Sequence, residues 1–200
     1  MNMKNSLKWI LALVAVCLAA IIVVFVSKPA KEEPVLEESA FTEYVAEEFA
    51  YAKSFESDDN LVRFYEVQTV LNGNLDTLTY DTVDILASMT VFSVNDTVFM
   101  RTRDWESGEV AEEKVLGHWM GTAPLDSLNV EVPFEKAVEL LYSTNYPVPA
   151  GDKMTFRKPL NGVAENPLYI FGTVGTHFVA VDAVTGEVAV EGLDGESGME

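Results

Sequence analysis

Hydrophobic and polar positions change period several times along the chain. From Trp9 to Val26, WILALVAVCLAAIIVVFV runs 18 residues without a charge. At about 1.5 Å per residue a helix of that length spans roughly 27 Å, close to the hydrocarbon thickness of a bilayer. SKPAKEEPVLEES (27–39) then loses all periodicity. From Phe41 a helical stripe begins: Phe41, Tyr44, Val45, Phe49, Ala52 and Phe55 recur at spacings of three and four. SDDN (57–60) ends it, and alternation takes over in LVRFYEVQTVL (61–71), which predicts a strand. In RFYEVQ (63–68), strict alternation places Phe64 and Glu66 on one face and Tyr65 and Val67 on the other. Asn72-Gly73 follows as a tight-turn signal, since both residues tolerate positive φ.

Two further strands, VDILASMTVFSV (83–94) and TVFMRTRD (97–104), flank the turn pair Asn95-Asp96, and GEVAEEKVL follows. GHWMGTAPLDSLN (117–129) has no period and reads as a link. Pro133 then suits the first turn of a helix whose stripe is Phe134, Ala137, Val138 and Leu141. NYPVPAG (145–151) stops it. Four strands are expected after it, near KMTFRK (153–158), PLYIFGT (167–173), THFVAVD (176–182) and GEVAV (186–190).

The two halves echo each other. At a shift of 78 residues RDWESGEVAEE (103–113) aligns with VDAVTGEVAVE (181–191). Asp104, Ser107, Gly108 and Glu109 fall on Asp182, Thr185, Gly186 and Glu187. Each half starts with an amphipathic helix and continues in strands, the order a repeated unit would have. The shared D-x-x-[ST]-G-E stretch has a physical reading as a hairpin turn. Asp accepts hydrogen bonds from backbone N–H groups two or three residues on, Ser or Thr bonds the backbone beside it, and Gly supplies positive φ. The expected fold class is α+β: an N-terminal transmembrane helix followed by two units, each a helix packed on an antiparallel sheet. The expected organisation is an N-terminus (1–8), an anchor (9–26), a linker (27–35), a first unit (36–116), a second linker (117–130), a second unit (131–191) and a tail (192–200).

Charge narrows the function classes. The chain carries 13 Lys and Arg against 32 Asp and Glu, a formal net charge of −19. Residues 27–200 hold 11 of the basic residues and all 32 acids, a net charge of −21. That balance disfavours nucleic acid and anionic lipid surfaces as partners. The apolar segment reads as an uncleaved signal anchor in contact with membrane lipid. A signal peptide usually has an apolar core of about 7–15 residues, whereas here six more apolar residues follow the small pair Ala19-Ala20. Lys4 and Lys8 before the segment set a cytoplasmic N-terminus and an exported body. That body contains no cysteine, as suits a bacterial envelope domain without disulfides.

Candidate chemistry is sparse. His118 and His177 are the only histidines, and the sole cysteine, Cys17, lies in the apolar segment, so no zinc cluster can be written. His177 opens a strand, and His118, in GHWMG beside Trp119, reads as a packing residue of the linker. ESDD (56–59) lacks the spacing of a calcium loop. No nucleotide-binding or hydrolase motif occurs. No catalytic, metal or cofactor site is expected, and the chain is not expected to be an enzyme.

Residues 131–191 resemble a PepSY domain. The helix PFEKAVELL, with Glu135, Ala137 and Leu141, is similar to that family's helix motif. VDAVTGEV, with Val181, Asp182, Thr185, Gly186, Glu187 and Val188, is similar to its closing hairpin. Residues 36–113 resemble it more weakly, through their closing hairpin. The resemblance implies an extracytoplasmic, non-catalytic module that binds or regulates another envelope protein, with a peptidase or a cell-wall enzyme as partner. A structural accessory subunit of a larger membrane complex is the alternative. The implied location is the bacterial cell membrane, single-pass, with the body outside the cytoplasm.

Overall fold

The structure, a computed structural model, describes residues 39–160, 164–173 and 177–191. The anchor at 9–26, the linker at 27–35 and the tail at 192–200 lie outside the described residues. No helix among the described residues is long and apolar enough to cross a membrane.

Helix α1 runs Ala40–Lys53. Ser39 starts it: its backbone is extended and its Oγ accepts from the Thr42 N–H at 3.2 Å, satisfying one of the unpaired donors of the first turn. The buried stripe is Phe41, Tyr44, Val45, Glu48 and Ala52. Helix α2 runs Phe134–Ser143 and buries Phe134, Ala137, Val138 and Leu141, the same spacing with Leu141 where α1 has Glu48. Pro133 sits one residue ahead of the first turn, as N-cap.

Eight strands follow the expected runs: β1 Val62–Leu71, β2 Ile85–Val94, β3 Thr97–Asp104 and β4 Val110–Leu116 after α1, then β5 Lys153–Arg157, β6 Leu168–Gly172, β7 Phe178–Asp182 and β8 Val188–Glu191 after α2. Each half is thus a helix followed by a four-stranded meander. The sequence pattern anticipates two sheets. Among the described residues there is one, antiparallel throughout, in the order β4-β3-β2-β1-β5-β6-β7-β8. β1 pairs with β5 from Glu66↔Arg157 to Val70↔Lys153. That seam removes two edges that separate meanders would leave unpaired. Both helices share one core: Phe41 of α1 and Phe134 of α2 meet at 5.3 Å between ring centroids, and Phe41 also reaches Phe156 of β5 and Tyr169 of β6.

Three local expectations change. First, Asn72-Gly73 does not turn the chain back directly. The β1–β2 connection runs to Asp84 through a 3-10 turn at Leu75–Thr77. Asn72 closes the base of that loop, donating to Thr82 O at 2.8 Å and accepting from Asp84 N at 3.0 Å. Leu75 is buried, and Tyr142 of α2 donates to its carbonyl at 2.7 Å. Second, strict alternation fails in β1. A bulge lies between Phe64 and Glu66. The extra residue keeps Phe64 and Val67 in the main core and sends Tyr65 and Glu66 to the opposite face. Third, the segment at 117–130 is not a free tether. Beyond Glu66↔Arg157, β1 and β5 stop pairing with each other and 123–125 fills the gap. Leu125 N donates to Phe64 O at 2.7 Å, and Ala123 N to Lys158 O at 3.0 Å.

Candidate protein-binding surface

Among the described residues, two helices lie on one side of an eight-stranded sheet and none on the other. Strand alternation decides what appears there. Tyr65, Val91 and Val98 form a small buried cluster on this open face, with Met89, Met100 and Trp119 packed against it. Trp119 comes from the 117–130 segment. It is this residue, rather than His118, that packs: the His118 side chain is 72 % exposed, 4.0 Å from Asp96.

Beside the cluster lies a charged group inside the central strands. Glu66 is 3 % exposed. Its carboxylate accepts from Gln68 Nε2 and stands 3.7 Å from the Arg157 guanidinium, directly across the β1–β5 seam. A carboxylate removed from water in this way needs such partners. Further along the seam is a hollow of about 260 Å³, lined by Gln68, Val70, Ala87, Met89, Lys153 and Thr155 among others. Its lining mixes apolar side chains with amide, hydroxyl and ammonium groups. Such a surface can hold an extended or shallow partner through apolar contact and a few directed hydrogen bonds.

The edge of the sheet at β4 adds main-chain groups. All seven of its residues are exposed. Asp104 N donates to Glu109 O at 3.0 Å and Gly117 N to Asp96 O at 2.8 Å, which fixes the hydrogen-bonding phase of the β3–β4 ladder. The intervening alternation turns the N–H and C=O of Val110, Glu112, Lys114 and Leu116 outward. Glu112 is held from the helix side: its carboxylate accepts from Tyr51 Oη at 3.0 Å and Arg101 Nη1 at 3.2 Å, and Lys114 Nζ is 3.3 Å away. Desolvation alone would raise its pKa; those three partners more than offset it and hold the carboxyl below the usual range. Arg101 also forms a forked pair with Glu48, at 2.9 and 3.3 Å, while stacking 3.8 Å over the Tyr51 ring. Nearby, burial pushes the Tyr44 hydroxyl up to about 12, with its hydrogen bond to Thr90 opposing that.

The turn residues singled out in the sequence lie on the two outermost hairpins, β3–β4 and β7–β8, and are not brought together. Their geometries match. Asp104 Oδ1 accepts from Ser107 N at 2.7 Å, and Asp182 Oδ1 from Thr185 N at 2.8 Å. Ser107 Oγ and Thr185 Oγ1 accept from the N–H of Glu109 and Glu187, each at 3.2 Å. Gly108 and Gly186 have φ of +71° and +75° and donate to Asp104 O and Asp182 O. Asp182 also accepts from Asn166 Nδ2 at 3.1 and 3.2 Å. These are register-fixing devices.

Among the described residues no group of three or more His, Cys, Asp or Glu could hold a metal ion. The buried pairs Glu66–Arg157 and Glu48–Arg101 are not singled out by sequence reasoning. A faint signal exists for the second: Arg101 and Arg103 at strand spacing share a face, and Glu47-Glu48 interrupts the stripe of α1. No protein-family model, curated protein or solved structure matches the chain.

Proposed function

We propose that the chain is a membrane-anchored, extracytoplasmic, non-catalytic module that binds or regulates another envelope protein, and that the open face of its sheet is where the partner docks. The observation that carries this reading is the distribution of covering elements: both helices share one face. The other carries Met89, Met100 and Trp119 packed over the buried Tyr65–Val91–Val98 cluster, the hollow beside them and the buried Glu66–Arg157 pair. An apolar patch rimmed by polar groups is a usual form of interaction site. The 18-residue apolar segment at 9–26 supports the anchor, and the PepSY resemblance of residues 131–191, weaker over 36–113, supports the module class, with a peptidase or a cell-wall enzyme as partner.

A photo-crosslinking residue placed in the full-length chain in its native membrane tests this. Positions Met89 and Thr102 on the open face should join the chain to one discrete second protein, and Glu139 on the exposed side of α2 should not. Cross-linking from Glu139 alone, or none from Met89 and Thr102, overturns the docking face. Cross-links confined to the residues beside 9–26 would instead support the accessory-subunit reading. Hydrolytic activity that follows the purified chain would overturn the non-catalytic assignment.

A further inference from the structure

We propose that β4 pairs with β4 of a second copy of this chain, antiparallel and two-fold symmetric about Glu113, joining the two sheets edge to edge.

The outward backbone groups restrict the possible registers. Among the described residues nothing pairs with the outward N–H and C=O groups of Val110, Glu112, Lys114 and Leu116. A symmetric antiparallel partner must set these residues opposite one another, so the axis passes through a residue rather than between two. An axis at Glu112 opposes two Glu112 carboxylates, and one at Lys114 opposes two ammonium groups. An axis at Glu113 gives full overlap of all seven residues, with roughly eight new backbone hydrogen bonds.

The side chains favour that register. On the helix-side face it sets Glu112 against Lys114 of the second copy, twice, and Val110 against Leu116, twice. On the open face it sets Ala111 against Val115, twice. Val110, Val115 and Leu116 are exposed large apolar side chains, Leu116 at 85 %. Each gains an apolar neighbour in the pair. Opposite charges and apolar pairs directly across a ladder are the favourable combinations, and like charges the unfavourable one. Each of the three axes opposes one like-charged pair, Glu113 with itself in this register; the Glu113 axis alone adds two Glu112–Lys114 pairs and the full overlap. Glu112 is already oriented by Tyr51 and Arg101, so its carboxylate is positioned before pairing.

A pair of charge variants of the full-length chain tests this by sedimentation in detergent. Lys114→Glu sets Glu112 against a glutamate, and Glu112→Lys sets Lys114 against a lysine. Each variant alone should shift the dimer dissociation constant up by tenfold or more. Mixing the two should restore dimer, because the mixed pair is complementary at both positions. Parent protein that is monomeric at tens of micromolar, or variants that dimerise as well alone as mixed, overturns the proposal. A second measurement does not depend on affinity. In a Cys17→Ser background, Glu113→Cys places two thiols on the axis at a non-hydrogen-bonded pair with Cα atoms about 4.5 Å apart, within disulfide reach. Ala111→Cys places them about 13 Å apart along the strand direction. Oxidation should give covalent homodimer from Glu113→Cys and little from Ala111→Cys. Equal yields, or a Glu113→Cys adduct with a different polypeptide, would overturn self-pairing.

Discussion

The two halves share a plan and fill it with opposite chemistry. When the halves are aligned on Asp104 and Asp182, Arg101 falls on Val179, Arg103 on Val181 and Glu112 on Val190. On the helices, Glu48 occupies the place of Leu141. Where the second half packs Leu141, Val179 and Val181, all buried, the first half holds a Glu48–Arg101–Glu112 network roofed by Tyr51. The same helix-on-meander geometry therefore accepts either an apolar core or a paired ionic one. The difference follows from exposure. The first half's outer strand is wholly exposed, so the network reaches water at its Glu112 end while Glu48 is buried at the other; Leu141, Val179 and Val181 are buried throughout. Buried ion pairs add little net stability over apolar packing, but removing one member is expensive.

The largest expected effect comes from exchanging these solutions one residue at a time. Leu141→Glu puts a carboxylate against Val179 and Val181, and should cost about 4 kcal/mol in urea unfolding of the full-length chain. Glu48→Leu strands Arg101 with Glu112 alone and should cost about 2 kcal/mol. Adding Arg101→Met to Glu48→Leu should recover most of that loss, because the first half then resembles the second. A double variant as unstable as Glu48→Leu alone would mean that the two interiors are not equivalent.

The hairpins give a finer comparison. Gly108 and Gly186 both require positive φ, so valine at either is strained by about 1–2 kcal/mol. Around Gly108 there is open space; a Cβ on Gly186 would lie 3.4 Å from Leu140 and 3.6 Å from Val132. Gly186→Val should therefore lower the melting temperature more than Gly108→Val, by the equivalent of about 1 kcal/mol further. Equal shifts would show that the backbone strain alone matters.

How much of this was legible beforehand depended on whether the cause was local. Period located both helices and seven of the eight strands, because each of them buries one stripe or one face; β4, wholly exposed, carries no such signal. The hydrogen bonds inside the D-x-x-[ST]-G-E turns could be read locally, since those partners lie within six residues; the Asn166 contact to Asp182, sixteen residues away, could not. The bulge at Tyr65 could not. Which residue is extra is settled by the register with β2, a non-local pairing, and the error inverted the faces of Glu66 and Val67. The single sheet was missed for the same reason: nothing in β1 or β5 alone says that they meet. Glu66 was invisible and Glu48 only faintly signalled, because a carboxylate counts as polar until its cation is found, and Arg157 and Arg101 stand 91 and 53 residues away in sequence. The open face, which carries the functional proposal, was legible only as alternation without a direction.

The smallest effect tests whether charge makes the first half's edge conditional. Glu112 has its carboxyl held below the usual range by Arg101, Tyr51 and Lys114 against its own desolvation. Asp104, at the hairpin feeding the same strand, is held down by the N–H and then the hydroxyl of Ser107. For a group with a depressed folded pKa, the stabilisation is present above the unfolded value and is lost as pH falls through the folded one. Acidification from pH 6 toward pH 3 should therefore loosen β4 before β2 or the second half's core. For Glu112 the loss should stay under about 1 kcal/mol, because the group is partly solvated. Amide exchange reads it strand by strand: protection at Ala111, Glu113 and Val115, whose N–H groups face β3, should fall first, and Glu112→Val, which copies Val190, should remove much of that fall. If β4 and β6 lose protection together, the ionic network is not what distinguishes the two halves, and the contrast lies in edge position alone.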